Sequence, residues 1–500
     1  MATGTGVMVD PADPIDLSLV SHTNVGKTTL ARTLLRRDVG EVADRAHVTD
    51  AAEAHVLIDT PQGDALRLWD TPGFGDSARL LKRLRSSDNP IGWLLTQVWD
   101  RFTDRPFYSS QQAIRNVRDE GDVVLYLVNA AEDPAAAAYV EVEMQILGWI
   151  GKPVLLLLNQ MGAPRGAEAE GADETAWRAH LAAYPWVKGA IGLDAFARCW
   201  VQEDQLLAAV EAVLPAARGA AFARLRGAWR ARNLEVFTAA MRALAEQLAA
   251  VALDREPLAP LGLRDKAGRW LASVLSGSEK RDAETERAME KLAERLDAQV
   301  RSATDRLIAL HGLSGRAAQE ILQRVAGQLA VSKRADVGSS GVLGGVMSGA
   351  LGGLAADLAA GGLTFGAGAL IGGLLGALGG GGIAHAYNLS RGERDGKAGW
   401  SAAFILERFE AALLRYLAVA HFGRGRGDWV QGEYPPHWQA VVGAAAAPRR
   451  EALLQRLAGA ESGEVNAQQL AAALEPLLGA AARDALEQLY PAARALFAHA

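Results

Sequence analysis

Cysteine is nearly missing from this chain. Cys199 stands alone among 500 residues, so no internal disulfide can form, and a reducing compartment is the expectation. An excess of positive charge is missing too: a net charge of −6 supplies no basic field, and no nucleic-acid partner is expected. The first residues, "MATGTGVMVDPADP", lack the charged start and apolar run of a signal peptide, which points to synthesis and residence on the cytoplasmic side. No internal repeat is found. What is present is the composition of a folded protein, half of it apolar, over a length that predicts two or three domains.

After a tail at 1–14, residues 15–216 alternate short apolar runs with helical stretches. This is the pattern of an α/β domain: a mostly parallel sheet with helices on both faces. "IDLSLV", "HVLID", "ALRLW", "DVVLYLV" and "KPVLLLL" read as strands. "TPQGD", between the second and third, has the chemistry of a hairpin turn and predicts one antiparallel edge strand. Residues 217–336 read as a charged helical domain. There Met289, Leu292, Leu296, Val300, Ala303, Leu307 and Leu310 recur at helical spacing, marking either a packing face or a dimer coiled coil. A glycine-rich hydrophobic hairpin follows at 337–386, and Ala/Leu-rich helices at 387–500 complete an all-α region.

The chemistry begins at "SHTNVGKTT", Ser21 to Thr29. It matches the phosphate-loop pattern G-x-x-x-x-G-K-[ST] except that Ser21 replaces the first glycine. A strand precedes it and a helix follows, the context in which loop N–H groups and a helix N-terminus converge on phosphate. Asn24, Val25, Gly26, Lys27, Thr28 and Thr29 are the candidate nucleotide contacts, with Lys27 on the β- and γ-phosphates and Thr28 on Mg²⁺. Some forty residues on, "LRLWDTPGFGD" carries a D-x-x-G pattern. Asp70 would hold Mg²⁺ through water, and the Gly73 N–H would sense the γ-phosphate.

These two motifs together resemble the Era- and septin-like class of translation-factor-type GTPases. More closely, the chain resembles bacterial GTPases with a C-terminal helical domain of unknown function, in which "HTNVGKT", "DTPG" and "LDAFARCWVQE" occur in this order. The resemblance implies a P-loop GTPase fold, GTP as substrate and Mg²⁺ as cofactor. It also implies a threonine that closes over the metal; Thr49 is the candidate, with Thr60 as the alternative. Ras-like enzymes place a water-orienting glutamine after D-x-x-G, but here Phe74 stands there, so slow intrinsic hydrolysis is expected. Asn24 matches the asparagine that helps bind K⁺ in potassium-activated relatives; its other reading is a turn stabiliser. Homodimerisation across the nucleotide is a further candidate for activation. Lys27, Asn24 and Gly73 are thus the expected catalytic groups, and Thr28, Thr49 and Asp70 the metal ligands. Base recognition in the class uses N-K-x-D, where this chain has Asn159, Gln160, Met161 and Gly162. With the specificity carboxylate missing, discrimination against ATP should weaken. Asp194 and the Ala195 N–H are the candidate compensation.

The segment "NPIGWLLTQVWDRFTDRPFYSS", with Trp93, Trp99, Phe102 and Phe107, is expected to pack on the helical domain and to relay nucleotide state. In 337–386 the one Asp, Glu, Lys or Arg is Asp357. Gly341, Gly345, Gly349 and Gly353, then Gly368, Gly372, Gly376 and Gly380, are spaced by four, the small-xxx-small arrangement of membrane helix pairs. Each glycine costs about 1 kcal/mol relative to alanine in a water-exposed helix, whereas a bilayer enforces helix. Lys333 and Arg334 before the segment and Arg391, Arg394 and Lys397 after it would keep both flanks cytoplasmic. Association with the inner membrane through 337–386 is therefore expected, with a buried soluble hairpin or a linker as the other reading. "HFGRGRGDW" reads as a turn. The expected protein is a membrane-associated GTPase acting as a switch or mechanical element. The alternatives are a soluble nucleotide-dependent scaffold with relaxed base specificity, or a membrane-remodelling or permeabilising effector.

Overall fold

The computed structural model describes residues 13–23, 25–36, 52–96, 104–161, 167–193, 199–258, 283–313, 387–391, 396–421, 436–461 and 465–498. Asn24, Thr49, Asp194, Ala195 and the glycine-rich stretch 337–386 lie outside these residues, as do Trp99, Phe102, Arg424 and Arg426.

Three apolar runs form the middle of a sheet. β1 (Ile15–Ser21) and β5 (Val154–Asn159) are buried along their whole length, and β4 (Val123–Asn129) along all but its last residue. Strands so buried belong to a parallel sheet covered on both faces. With β2 (Glu53–Asp59), β3 (Ala65–Asp70) and β6 (Val187–Gly192), the order is β2-β3-β1-β4-β5-β6. All neighbours are parallel except β2 and β3, the edge hairpin that "TPQGD" predicts. Its turn is closed by Thr60 N–H donating to the Asp64 carbonyl at 3.0 Å and by Gly63 at φ 90°. β6 carries no strand signal in the sequence: "VKGAIG" has two glycines and neither alternation nor a long apolar run.

The helices of this part are α1 (Lys27–Leu35), α2 (Ser77–Leu84), α3 (Pro90–Thr96), α4 (Arg105–Asp119), α5 (Ala138–Ile150), α6 (Ala167–His180) and α7 (Trp200–Val213). α2 to α5 enclose one core in which Phe74, Phe107, Tyr126, Val140 and Met144 are buried, with Trp93 partly buried against it. Phe107 and Trp93 therefore pack within the nucleotide domain and not, as expected, on the helical one. An aromatic run records the need for an apolar partner and leaves open which one.

α8 (Ala216–Leu253) continues the chain. β7 (Arg255–Leu258), α9 (Ala283–Leu310), β8 (Tyr387–Arg391), β9 (Gly396–Trp400), α10 (Ala402–Ala420), α11 (Pro436–Ala446), α12 (Arg450–Glu461), α13 (Ala467–Leu489) and α14 (Ala493–Phe497) follow. Two compact units result, Met1–Glu235 with Ala420–Asp428 and Leu489–Ala500, and Val236–Val419 with Trp429–Gln488. The second unit adds a small antiparallel sheet, β7-β9-β8, to its helices. In α9, Met289, Leu292, Leu296, Val300, Ala303 and Leu307 are buried within that unit. The stripe is already covered in a single chain, as a packing face requires.

Candidate functional site: the phosphate loop and its supports

β1 delivers the chain to Ser21, its last residue. Ser21 is extended and buried, and its hydroxyl donates to the His22 carbonyl at 2.6 Å. A position in strand geometry has no need of glycine's left-handed freedom, so a small serine serves. The need for glycine falls on Gly26, whose φ of 88° opens α1. A Cβ there would stand 2.7 Å from Asn159 Nδ2.

Lys27 and Thr28 start α1 and meet the end of β3. Lys27 is only 9% exposed, with its Nζ 3.8 Å from Asp70 Oδ1. Burial pushes its ammonium below the usual lysine value, against the opposing pull of Asp70. The Thr28 hydroxyl donates to Asp70 Oδ2 at 2.7 Å. Asp70 Oδ1 is buried and accepts no hydrogen bond. The predicted loop lysine and hydroxyl at the start of α1 and the carboxylate at the end of β3 are thus brought together, because β1, which leads into α1, pairs with β3.

The D-x-x-G segment lies along the loop. Thr71 donates its hydroxyl to the Leu19 carbonyl at 2.7 Å, and the Phe74 N–H donates to the Ser21 carbonyl at 2.8 Å. A Cβ on Gly73 would stand 3.3 Å from Thr23 Cα, so the two backbones nearly touch. Phe74 is buried in the core, consistent with its having no part in orienting water. Thr60, the alternative to Thr49, spends its hydroxyl on Asp64 at 2.9 Å in the hairpin turn. That turn is about 17 Å along β3 from Asp70, which removes Thr60 from the metal site.

The remnant of N-K-x-D has a visible task. Asn159 is buried and its Nδ2 donates to the Val25 carbonyl at 2.7 Å. Gln160 adopts φ 57°, and its Nε2 comes within 3.7 Å of the Gly26 Cβ position. Asn159 therefore braces the loop, and Gln160 lies beside it. Met161 lies against the end of β6, its Sδ 3.2 Å from the Gly192 Cβ position.

Several residues near the site have no motif to mark them in the sequence. Glu143 of α5 is fully buried and accepts from His22 Nδ1 at 2.7 Å, Ser77 Oγ at 2.5 Å and Tyr126 Oη at 2.5 Å. Burial pulls the His22 imidazole down, but the hydrogen bond and charge of Glu143 outweigh it and leave it above its usual value. The available signal was a charge on an apolar helix face: Val140, Glu143, Met144 and Leu147 share one side of α5. In "LDAFARCWVQE", Cys199 is the cap residue just before α7, with its N–H donating to Gln202 Oε1 at 2.8 Å. Trp200 packs edge-on to Phe497 with ring centres 5.8 Å apart. Asp204 accepts paired bonds from Arg226 and Arg230 of α8 at 2.8 to 3.1 Å. Among the described residues no three His, Cys, Asp or Glu side chains group as a metal cluster.

A phosphate loop between the first strand and first helix, a carboxylate at the end of the neighbouring strand and this strand order define a P-loop GTPase domain of the Era-like class. The family model described as "50S ribosome-binding GTPase" matches residues 16–160. The model described as "Domain of unknown function (DUF3482)" matches residues 187–490, more than half of the chain, and the chain belongs to that family. Curated relatives include GTPase Der of Rhodopirellula baltica, 30% identical over 157 residues that cover 31% of this chain and 28% of that protein. The probable GTP-binding protein EngB of Rhodopseudomonas palustris is 28% identical over 35% of this chain and 71% of its own. GTPase Era of Heliobacterium modesticaldum is 27% identical over 29% of this chain and 39% of its own. The chain thus spans under a third of Der and about two fifths of Era. Among solved structures, Era in complex with MgGDPNP and nucleotides 1506–1542 of 16S ribosomal RNA aligns at 18% identity and a TM-score of 0.30, over 41% of this chain and 57% of that one.

Proposed function

We propose that this chain binds GTP and hydrolyses its γ-phosphate bond with Mg²⁺, as a switch on the cytoplasmic face of a membrane. The observation that carries the reading is Asp70 Oδ1, a buried carboxylate oxygen with no hydrogen-bond donor, beside the Thr28 hydroxyl and the Lys27 ammonium. One carboxylate and one hydroxyl are the hard oxygen donors that suit Mg²⁺ when phosphates complete its shell. Mg²⁺ bound there would neutralise charge developing on the β- and γ-oxygens. Lys27 and the N–H groups of residues 25 to 28 bind the phosphates, and Gly73 offers its N–H towards the γ-position. The names of Der, EngB and Era support GTP as the nucleotide. With no water-orienting group at Phe74, turnover is slow until something completes the site; K⁺ at Asn24 or a second copy of the chain are the candidates, and Thr49 remains the proposed closing ligand.

Equilibrium binding of labelled GTP, with ATP as competitor and with Mg²⁺ present or chelated, tests this reading in K⁺ and in Na⁺. Nucleotide uptake that needs Mg²⁺ supports it. Equal competition by ATP removes the guanine assignment, and no uptake at all removes the enzyme.

The membrane part rests on the glycine spacing and basic flanks of 337–386. Among the described residues, α8 is the one helix long and apolar enough to cross a membrane by length and composition, yet 61% of its most apolar window is buried inside the fold. A core helix has the same property, so α8 adds nothing to the membrane reading. Carbonate-washed membranes retain an inserted hairpin, whereas full release leaves a soluble scaffold. Nucleotide-dependent leakage of liposomes would instead mark a permeabilising effector.

A further inference from the structure

The Glu143 carboxylate lies outside the phosphate site, yet it is held by three donors from three elements. A carboxylate offers only acceptor oxygens, and here they receive His22 of the phosphate loop, Ser77 at the start of α2 and Tyr126 of β4. The His22 ring also packs on Tyr139 with centres 4.6 Å apart, and the Tyr139 hydroxyl donates to Glu132 at 3.0 Å. A buried carboxylate costs several kcal/mol of desolvation, and an apolar residue of similar volume would fill this core at least as well. The particular donors therefore matter. Two of them bracket the D-x-x-G segment: His22 follows the residue whose carbonyl receives the Phe74 N–H, and Ser77 stands four residues beyond Gly73.

We propose that Glu143 is a positioning residue for the γ-phosphate response, tying the start of α2 to the phosphate loop so that Gly73 is held at a set distance from the terminal phosphate. The inference rests on the GTPase reading above. With Ser77 anchored, movement on loss of the γ-phosphate is confined to residues 73–76. That short span already has Gly73 close to Thr23 and Gly75 against Pro106. Asp76 caps α2 by accepting from the Arg79 N–H at 3.0 Å, which holds the helix start as a unit with Ser77. Residues 25 to 28, the proposed phosphate contacts, make no bond to the carboxylate, so diphosphate affinity is expected to depend on it little.

The test compares the full-length wild type with Glu143→Gln, Ser77→Ala and Ser77→Thr. It measures kcat, KM and the affinities for GDP and a non-hydrolysable GTP analogue. Glu143→Gln is expected to lower kcat by ~10–100-fold, the cost of a small displacement of a reacting group, and to erase most of the preference for triphosphate. GDP affinity stays within about threefold, below the tenfold that 1.4 kcal/mol would give. Ser77→Ala shifts the same quantities less, and Ser77→Thr restores them by returning the hydroxyl. If Glu143→Gln does not fold, the serine pair decides alone. Variants that match wild type, or that lose GDP and GTP-analogue affinity in equal proportion with threonine giving no rescue, overturn the inference. A wild-type chain that takes up no nucleotide overturns the GTPase reading itself, a result separable from equal turnover by wild type and variants.

Discussion

Asn159 donates an amide hydrogen to the Val25 carbonyl at 2.7 Å, across 134 positions of sequence. In the N-K-x-D pattern that asparagine belongs to the base site, and here it also holds the phosphate loop, with Gly26 packed against its amide. Asn159→Ala would leave a buried carbonyl without a donor, at a cost of about 1–3 kcal/mol. The expected result is a ~10-fold or greater loss of affinity for GTP and ATP in the same proportion, measured by competition binding. A selective loss of GTP would return Asn159 to base recognition.

Gly26 and Ser21 make a contrasting pair. Gly26→Ala forces a side chain into the left-handed region, which costs roughly 1–2 kcal/mol, and presses it on Asn159. Nucleotide binding should be lost and the melting temperature lowered. Ser21→Gly, which restores the usual loop pattern, should do little. A small fall in stability, about 0.5–1 kcal/mol from glycine in a strand, with nucleotide affinity almost unchanged, is the outcome expected from calorimetry and titration.

Asp70→Asn addresses the metal. The amide keeps the shape and can still accept from Thr28 but no longer carries the charge that draws Mg²⁺. In the variant, GTP affinity with Mg²⁺ should fall to the value seen with chelator, while the chelated affinity matches wild type. Titration in both buffers distinguishes this from general damage, which lowers the two together.

Acid should loosen the join between α7 and the start of α8. Burial raises the Asp204 carboxyl, but the hydrogen bonds from Arg230 and Arg226 outweigh it and hold the group below its usual value. Its stabilisation is therefore fully present above the ordinary carboxylate value near 4 and is lost as pH falls through the lowered folded value. Asp204→Asn should destabilise the protein at neutral pH by about 2 kcal/mol and flatten this part of the acid dependence. Urea unfolding at pH 7 and below pH 4 checks both.

Much of the nucleotide domain could be read directly from the chain, because its signals are local. A buried parallel strand must be apolar throughout, a hairpin needs turn chemistry such as "TPQGD", and a phosphate loop needs its lysine and hydroxyl next to a helix start. Those constraints act within a few residues, and they determined β1 to β5, the antiparallel edge, and the candidacy of Gly26, Lys27, Thr28, Asp70 and Gly73. Partnership was decided only in three dimensions. Glu143, His22, Ser77 and Tyr126 lie apart in sequence, and it takes the closing of α5 and α2 over β4 to place one carboxylate among three donors. The bond from Asn159 to the loop has the same origin: parallel pairing of β5 with β4, and of β4 with β1, brings its amide to the Val25 carbonyl. Composition records that a polar group exists, whereas a hydrogen bond depends on separations of a few tenths of an ångström that packing alone sets.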